Sequence, residues 1–412
     1  MNISTDALVS ADKDEVTAPP AHWGGVFAMT LCVFALIASE FMPVSLLTPI
    51  AADLRVSEGL AGYGIAISGA FAVLTSLSIS ALAGSMNRKA VLLTLTGLMA
   101  LSGVVVALAQ NYFTYMVGRA LIGLVIGGFW SLSAATAMRL VPASRVPRAL
   151  AIFNGGNALA TVIAAPLGSY LGSIIGWRGA FLLLVPVAMI SLAWQWVSLP
   201  SLPAVRTNGS KNVFRLFMQR SVALGMVACG AFFMGQFTLF TYVRPYLESV
   251  AHVDVSTLSL ILLGIGVAGF VGTAMIGTIL KRGLYRTLIV IPVLMAMISL
   301  ALIPFGASVG AVAALLCLWG FLATAAPLGW WSWIAEAMPR DAEAGGGLMV
   351  AVIQLAIALG STVGGALFDS SGYQSTFVTS AAVLLFGAFL TLLTSRSQMS
   401  RSARAATQPG HV

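Results

Sequence analysis

Between Trp23 and Ala52 the chain holds one long apolar run broken by a single acid, Glu40. A helix rises about 1.5 Å per residue, so about 20 such residues cross a hydrocarbon core of roughly 30 Å. This run is long enough, and it is the first of about a dozen. The apolar runs fall at 24–51, 59–82, 90–109, 112–139, 149–174, 179–198, 221–247, 255–280, 286–306, 309–336, 345–368 and 374–395. Only 8% of the residues are charged and 59% are hydrophobic, whereas a soluble domain carries about 25% charge. No soluble core could hide so much apolar surface. The expected class is an all-α polytopic membrane protein embedded in lipid.

The formal net charge is +8, which raises the question of nucleic acid. The basic residues answer it by position. They sit in short connections between apolar runs and form no basic domain or stripe, so no nucleic-acid partner is expected. With the N-terminus inside, the outer connections hold only Arg55, Arg178 and Arg244. Lys13, Arg88, Lys89, Arg139, Arg220 and Arg282 are among the many that fall inside. That asymmetry predicts that both termini are cytoplasmic.

Cys32, Cys229 and Cys317 each lie within an apolar run and form neither a disulfide framework nor a zinc site. His22, His252 and His411 lie at run edges or in the tail, so no metal site is expected. Residues 1–21 are polar and acidic and lack a signal-peptide pattern. The expected divisions are an N-terminal tail (1–22), a six-helix bundle (23–198), a linker (199–220), a second six-helix bundle (221–395) and a tail (396–412). The linker holds Pro200, Pro203, Asn208, Gly209 and Ser210, then Val213-Phe214-Arg215-Leu216-Phe217, which reads as a short amphipathic helix on the inner surface.

The two halves echo each other. Gly176-Trp177-Arg178-Gly179-Ala180-Phe181 follows the fifth run and Gly372-Tyr373-Gln374-Ser375-Thr376-Phe377 the eleventh. Pro43 near the end of the first run pairs with Pro245 near the end of the seventh. Parallel six-span repeats imply a transporter with its site near the midplane between them.

Polar residues within the spans are the candidates for that site. Glu40 lies ~24 Å along its helix from Gly24, and Arg119 lies ~10 Å in from the opposite end of the fourth span. Both reach the outer half of the bilayer, where they could meet directly or through water. Such groups are costly in lipid and usually functional, so Glu40 and Arg119 are assigned to proton coupling. A purely structural ion pair is the alternative. Gln236 lies on a stripe with Phe232, Phe240 and Arg244, spaced four residues apart. An amide flanked by aromatics suits a flat polar ring. Gln236, Phe240, Asn157, Gln354 and Trp130 are the candidate substrate contacts, and Asn154 is as well placed as Asn157. Arg244 is expected at the outer rim. At least one of Trp330, Trp331 and Trp333 should face inward. Gly123 with Gly127, and Gly360 with Gly364, offer flat faces for close helix packing. Neither paired carboxylates nor a His–Asp pair is present to support a membrane enzyme. A receptor or scaffold that binds without transporting would keep the same fold.

The span-four arginine backed by glycines, the span-five proline and the duplicated halves resemble the major facilitator superfamily, and within it the drug:proton antiporter branch. The resemblance covers nearly the whole chain. The loop after the second span departs from the family pattern. It reads Ala83-Gly-Ser-Met-Asn87-Arg88-Lys89, with Asn where the family has Asp, so a charge latch is not expected there. The family's span-five Gly-Pro is Ala165-Pro166 here. The segments Glu40-Phe-Met-Pro-Val-Ser-Leu-Leu-Thr-Pro49, Gly127-Gly-Phe-Trp130, Gly235-Gln-Phe237, Phe240-Thr-Tyr-Val-Arg-Pro245 and Val350-Ala-Val-Ile-Gln-Leu-Ala356 are similar to bacterial purine ribonucleoside efflux pumps. The resemblance implies export of inosine- and guanosine-like nucleosides across the inner membrane in exchange for protons, by a monomer without cofactor. Arabinose-like sugars or drugs are the alternative cargo.

Overall fold

The computed structural model describes residues 21–203, 218–338 and 342–407. The expected N-terminal tail and the amphipathic segment 213–217 lie outside the described residues, apart from 21–22. Among the described residues every regular element is helical. The first half comprises α1 (Trp23–Ser45), α2 (Leu47–Leu54), α3 (Glu58–Leu82), α4 (Arg88–Ala107), α5 (Tyr112–Arg139), α6 (Val146–Leu182) and α7 (Leu184–Ser198). The second comprises α8 (Arg220–Phe240), α9 (Val243–Ser249), α10 (Val255–Leu280), α11 (Leu284–Ala301), α12 (Val309–Ala337) and α13 (Ala342–Thr407). The last helix therefore continues into the segment read from sequence as a tail after 395.

Among the described residues ten helical stretches are long and apolar enough to cross a membrane, and two of them, Val146–Ser198 and Gly345–Ser397, span 53 residues each. A straight helix of that size would be ~80 Å long, more than twice the hydrocarbon core. Each instead breaks at a glycine with positive φ, Gly176 at 74° and Gly372 at 78°, a conformation that L side chains rarely adopt. Packing shows that the chain reverses there. Gly156 and Gly168 on α6 lie against Thr30 and Met42 of α1, running parallel to it. After the break, Ser191 bonds Ala28 O and Ser198 meets Gly24, running back. In the second half Gly360 and Gly364 lie against Met234 and Thr238 of α8, whereas Ser380 and Leu384 return to Gly235. Thr376 Oγ1 also donates to Gly364 O across the turn, at 3.3 Å.

The two kinds of break in each half share one register. The offset that carries Gly176 onto Gly372 carries Leu46 onto Tyr242. Each of these interrupts a helix with nearly the same backbone, φ −119°, ψ 9° and φ −105°, ψ 16°. That register corrects the proline pairing read from sequence. The counterpart of Pro245 is Pro49, in the short helix after the break, while Pro43 falls inside α1.

Close approach by glycine holds the bundle, as lipid removes most of the hydrophobic drive between helices. A Cβ on Gly127 would meet the backbone oxygen of Ala72, and one on Gly123 that of Ser68. The helices of the second half meet in the same way. Cβ atoms on Gly360 and Gly272 would strike the backbone oxygens of Met234 and Phe321. Cys32 and Cys229 are buried and unpaired, consistent with small apolar fillers.

Asn87 caps α4, accepting from Lys89 N at 3.0 Å. The same amide binds the start of the connection between halves, accepting from Leu202 N at 3.0 Å and donating to Ser201 Oγ at 2.7 Å. Lys89 Nζ donates to Leu199 O at 2.6 Å and Arg139 to Pro203 O at 3.0 Å. The Asp-to-Asn departure thus sits in a neutral amide latch on the linker.

Candidate functional site

Glu40 is 3% exposed, inside α1 and three residues before Pro43. Proline has no N–H, so the Ser39 carbonyl has no donor one turn on. Arg119 of α5 fills that place. Its Nη1 donates to Ser39 O at 2.7 Å, Nη2 to Glu40 O at 3.1 Å, and Nε to Gly64 O of α3 at 3.0 Å. Its Nη2 also reaches Ser68 Oγ at 3.3 Å. The sequence expectation of a direct or water-bridged meeting of side chains is therefore corrected in part. Arg119 is bound to the Glu40 residue, but through its backbone carbonyl and that of Ser39, the latter freed by Pro43. The signal was legible, since a proline four residues after Ser39 leaves an acceptor that a buried guanidinium suits.

The Glu40 carboxylate is reached by Gln354 of α13, whose Nε2 donates to Oε1 at 3.1 Å. This contact joins the two halves. The repeat register carries Glu40 onto Gln236 and Phe41 onto Phe237, and these two phenylalanines stack on each other, centroids 5.8 Å apart and planes at 22°. Two equivalent residues in mutual contact mark the pseudo-two-fold axis between halves. Phe240 meets Phe237 edge-on at 6.2 Å. Gln236 is half-buried, and its Oε1 has no hydrogen-bond partner; neither does Oε1 of Gln354. Buried acceptors without partners are uncommon in folded proteins. Glu40 with Gln354, and Phe41 with Phe237 and Phe240, thus meet at the seam, with Gln236 next in sequence to Phe237. Phe41 and Phe237 were missed by sequence reasoning; a lone aromatic in an apolar run carries no signal until the repeat is aligned.

Trp130 and Asn157 are half-buried, on α5 and α6. Trp130 packs edge-on against Phe153 at 6.3 Å, and Asn154 is exposed, bonded to Leu150 O of its own helix. The stripe through Phe232, Gln236, Phe240 and Arg244 is broken, because α8 stops at Phe240. Phe232 is buried in the packing of the second half. Arg244 is 5% exposed rather than at an open rim. It donates to Ser45 O of α1, an acceptor freed by Pro49, and pairs with Glu248 at 2.8 Å. Of the tryptophans, Trp330 and Trp333 are buried, with Trp333 Nε1 on Tyr285 Oη at 3.1 Å, and Trp331 is exposed.

The seam closes toward one end of the molecule. Asp369 of α13 takes Ser57 Oγ at 2.5 Å and Gly59 N at 3.0 Å, at the N-terminus of α3. Gly62 and Gly365 pack about the Tyr242 hydroxyl, and Gly69 lies against the Gln354 backbone. These contacts, with Arg244 on Ser45 O, lie between the level of Glu40 and the Asp369 end. Among the described residues no group of His, Cys, Asp and Glu could hold a metal.

A model described as Major Facilitator Superfamily matches residues 29–347. The chain is 62% identical over 400 residues to the "Transcription regulatory protein OpdE" of Pseudomonas aeruginosa, covering 96% of this chain and 99% of that one. It is 40% identical over 377 residues to the "Purine ribonucleoside efflux pump NepI" of Salmonella typhimurium, covering 92% and 94%. Among solved structures it is similar to the nucleoside transporter NupG, with TM-score 0.72 and 12% identity over 90% of this chain and 98% of that one. It is also similar to a bacterial homologue of the human lysosomal transporter Spinster, solved inward-facing and unoccupied, with TM-score 0.70 and 15% identity over 93% and 98%. At such identities the two structures speak for the fold alone.

Proposed function

The chain belongs to the Major Facilitator Superfamily and is a secondary transporter, not an enzyme, and from that membership we propose that it exports purine ribonucleosides in exchange for entering protons. The observation that carries this reading is the buried Glu40 carboxylate held by Gln354 from the opposite half. A carboxylate on the seam between two rocking halves is placed to sense which side is open. Arg119, bonded to the Ser39 and Glu40 carbonyls, fixes this stretch of α1 and is read as the partner of Glu40 in coupling. The stacked phenylalanines, Phe240 and the unpartnered amide oxygens suit a flat ring edged with hydrogen-bond donors. Asn157 and Trp130, both half-buried in the first half, are further candidate contacts. The 40% identity to a purine ribonucleoside efflux pump supports the choice of cargo.

The basic residues of the Arg88 end support a reading in which that end and both termini are cytoplasmic. The seam then closes on the outside, and the site faces inward in a bacterial inner membrane. The test is pH-gradient-driven inosine efflux from vesicles bearing Glu40→Gln. The reading expects efflux that no longer follows the gradient; coupled efflux at the wild-type rate would overturn it. Competition by inosine, arabinose and a lipophilic cation against one labelled substrate separates the nucleoside reading from sugar or drug export.

A second reading starts from the 62% identical relative named a transcription regulatory protein. A chain built of membrane-crossing helices would alter transcription through the cytoplasmic level of the solute it exports, without touching DNA. It predicts that Glu40→Gln changes transcript levels as deletion does. A transcriptional effect untouched by loss of transport would count against it.

A further inference from the structure

Gln354 reaches the Glu40 carboxylate from the other half, and it does so at a cost. Its Nε2 donates at 3.1 Å while its own Oε1 is buried without a partner. An ionised carboxylate only accepts hydrogen bonds, so the amide must offer its N–H and leave its oxygen unpaired. A protonated carboxyl offers an O–H as well. The amide can then turn over, accept that hydrogen, and release its N–H.

Gln354 shares one unbroken stretch of α13 with Asp369, ahead of the break at Gly372. Fifteen residues of helix separate them, roughly 22 Å of rigid rod. At one end is the innermost of the described cross-half hydrogen bonds. At the other, Asp369 closes the seam on Ser57 and Gly59. What happens to Gln354 is felt at the Asp369 end.

We propose that Gln354 is the positioning residue through which the charge on Glu40 holds the halves closed at the Asp369 end while the site is empty. The proposal rests on the reading of Glu40 as the proton-coupling group. An ionised, empty carrier stays locked by the charge-assisted bond. It is freed when a proton reaches Glu40, or when a substrate displaces the Gln354 amide. An antiporter requires that rule, because a carrier that turned over empty and unprotonated would leak cargo without exchange. The charged or titratable groups on the described elements packed against α1 are Asp53 on α2, Glu58 and Tyr63 on α3, Arg88 and Lys89 on α4, Tyr112, Tyr115, Arg119 and Arg139 on α5, Arg148, Tyr170 and Arg178 on α6, and Arg244, Tyr246 and Glu248 on α9. Of these only Arg119 bonds Glu40, and through its backbone. Glu58 lies with Glu248 and Asp369 at the closing end rather than beside the Glu40 carboxylate. The side chain that meets the carboxylate is the uncharged Gln354.

The experiment measures the distance between spin labels on Gln110→Cys and Ser371→Cys, both exposed at the Asp369 end on opposite halves. The native cysteines are replaced, and the full-length protein is followed over a pH series. Unmodified at positions 40 and 354, it should show a closed-to-open ratio that rises with pH by roughly 5–150-fold, the usual range of site coupling. Inosine should lower that ratio at high pH. Glu40→Gln should abolish the pH response, and Gln354→Met and Gln354→Leu should each abolish it too. If Glu40→Gln flattens the response while either Gln354 variant retains it, the role of Gln354 is overturned and the reading of Glu40 stands. If Glu40→Gln retains the response, the reading of Glu40 itself falls, and this proposal with it.

Discussion

Phe41 and Phe237 stack across the seam with centroids 5.8 Å apart, and they are the same residue of two repeats. Aromatic pairs contribute about 0.5–1.5 kcal/mol beyond their buried area. Phe41→Ala and Phe237→Ala should each lower thermal stability in detergent. The double variant should lose less than the two single losses together, by about that coupling energy. Strict additivity would mean that the stack holds nothing.

The glycines give a prediction with an internal control. Gly127→Ala would drive a methyl group into the Ala72 carbonyl, and backbone gives way only if two helices part. Overpacking of this kind costs about 1–3 kcal/mol. Gly155→Ala and Gly277→Ala meet nothing within 4 Å. They should leave stability unchanged or raise it by up to about 1 kcal/mol, through better helix propensity. Thermal unfolding of the three variants side by side decides the matter.

Asp369 brings a negative charge to the N-terminus of α3, where it also satisfies the Gly59 N–H. Such a charge is worth about 0.3–1 kcal/mol, before its hydrogen bonds are counted. Asp369→Ala should therefore shift the molecule toward opening at that end by roughly tenfold. The open fraction reported by spin labels on the exposed Gln110→Cys and Ser371→Cys should rise accordingly. An unchanged distance distribution would show that the seam is held elsewhere.

Asp254 caps α10 from the exposed connection before it, accepting from Thr257 Oγ1 at 2.5 Å and Ser256 N at 3.0 Å. The Thr257 hydroxyl, and then the backbone donors, hold its carboxyl below the usual range near 3.8. A depressed folded-state value stabilises above the unfolded value and is lost as pH falls through the folded one. Melting temperatures of Asp254→Ala should thus lie below wild type at neutral pH. The two should converge only in strong acid. A gap that persists there would assign it to something other than the charge.

Much of this was written in the residue types. The runs near Glu40, Arg119 and Gln354 announced membrane helices, because the bilayer sets a length and penalises charge. The shared Gly-aromatic segments at Gly176 and Gly372 announced a duplication, as only glycine turns so tightly there. The stripe from Phe232 to Arg244 misled, since periodicity assumes an unbroken helix and Tyr242 interrupts this one. Arg119 lies level with Glu40 as counted along the helices, and the acceptors it takes are backbone carbonyls. Depth follows from counting along a helix, whereas the choice of acceptor depends on which neighbour lacks a partner.

Composition and order along the chain determined that this protein crosses a membrane many times, repeats itself, and carries one acid and one arginine well inside its apolar runs. Those are one-dimensional facts, and a bilayer reads them directly. Only the tertiary structure decided that Gln354 answers Glu40, that Phe41 meets Phe237 and that Arg244 serves Ser45. Such contacts depend on how two packed bundles face each other across an axis, which no helix specifies by itself.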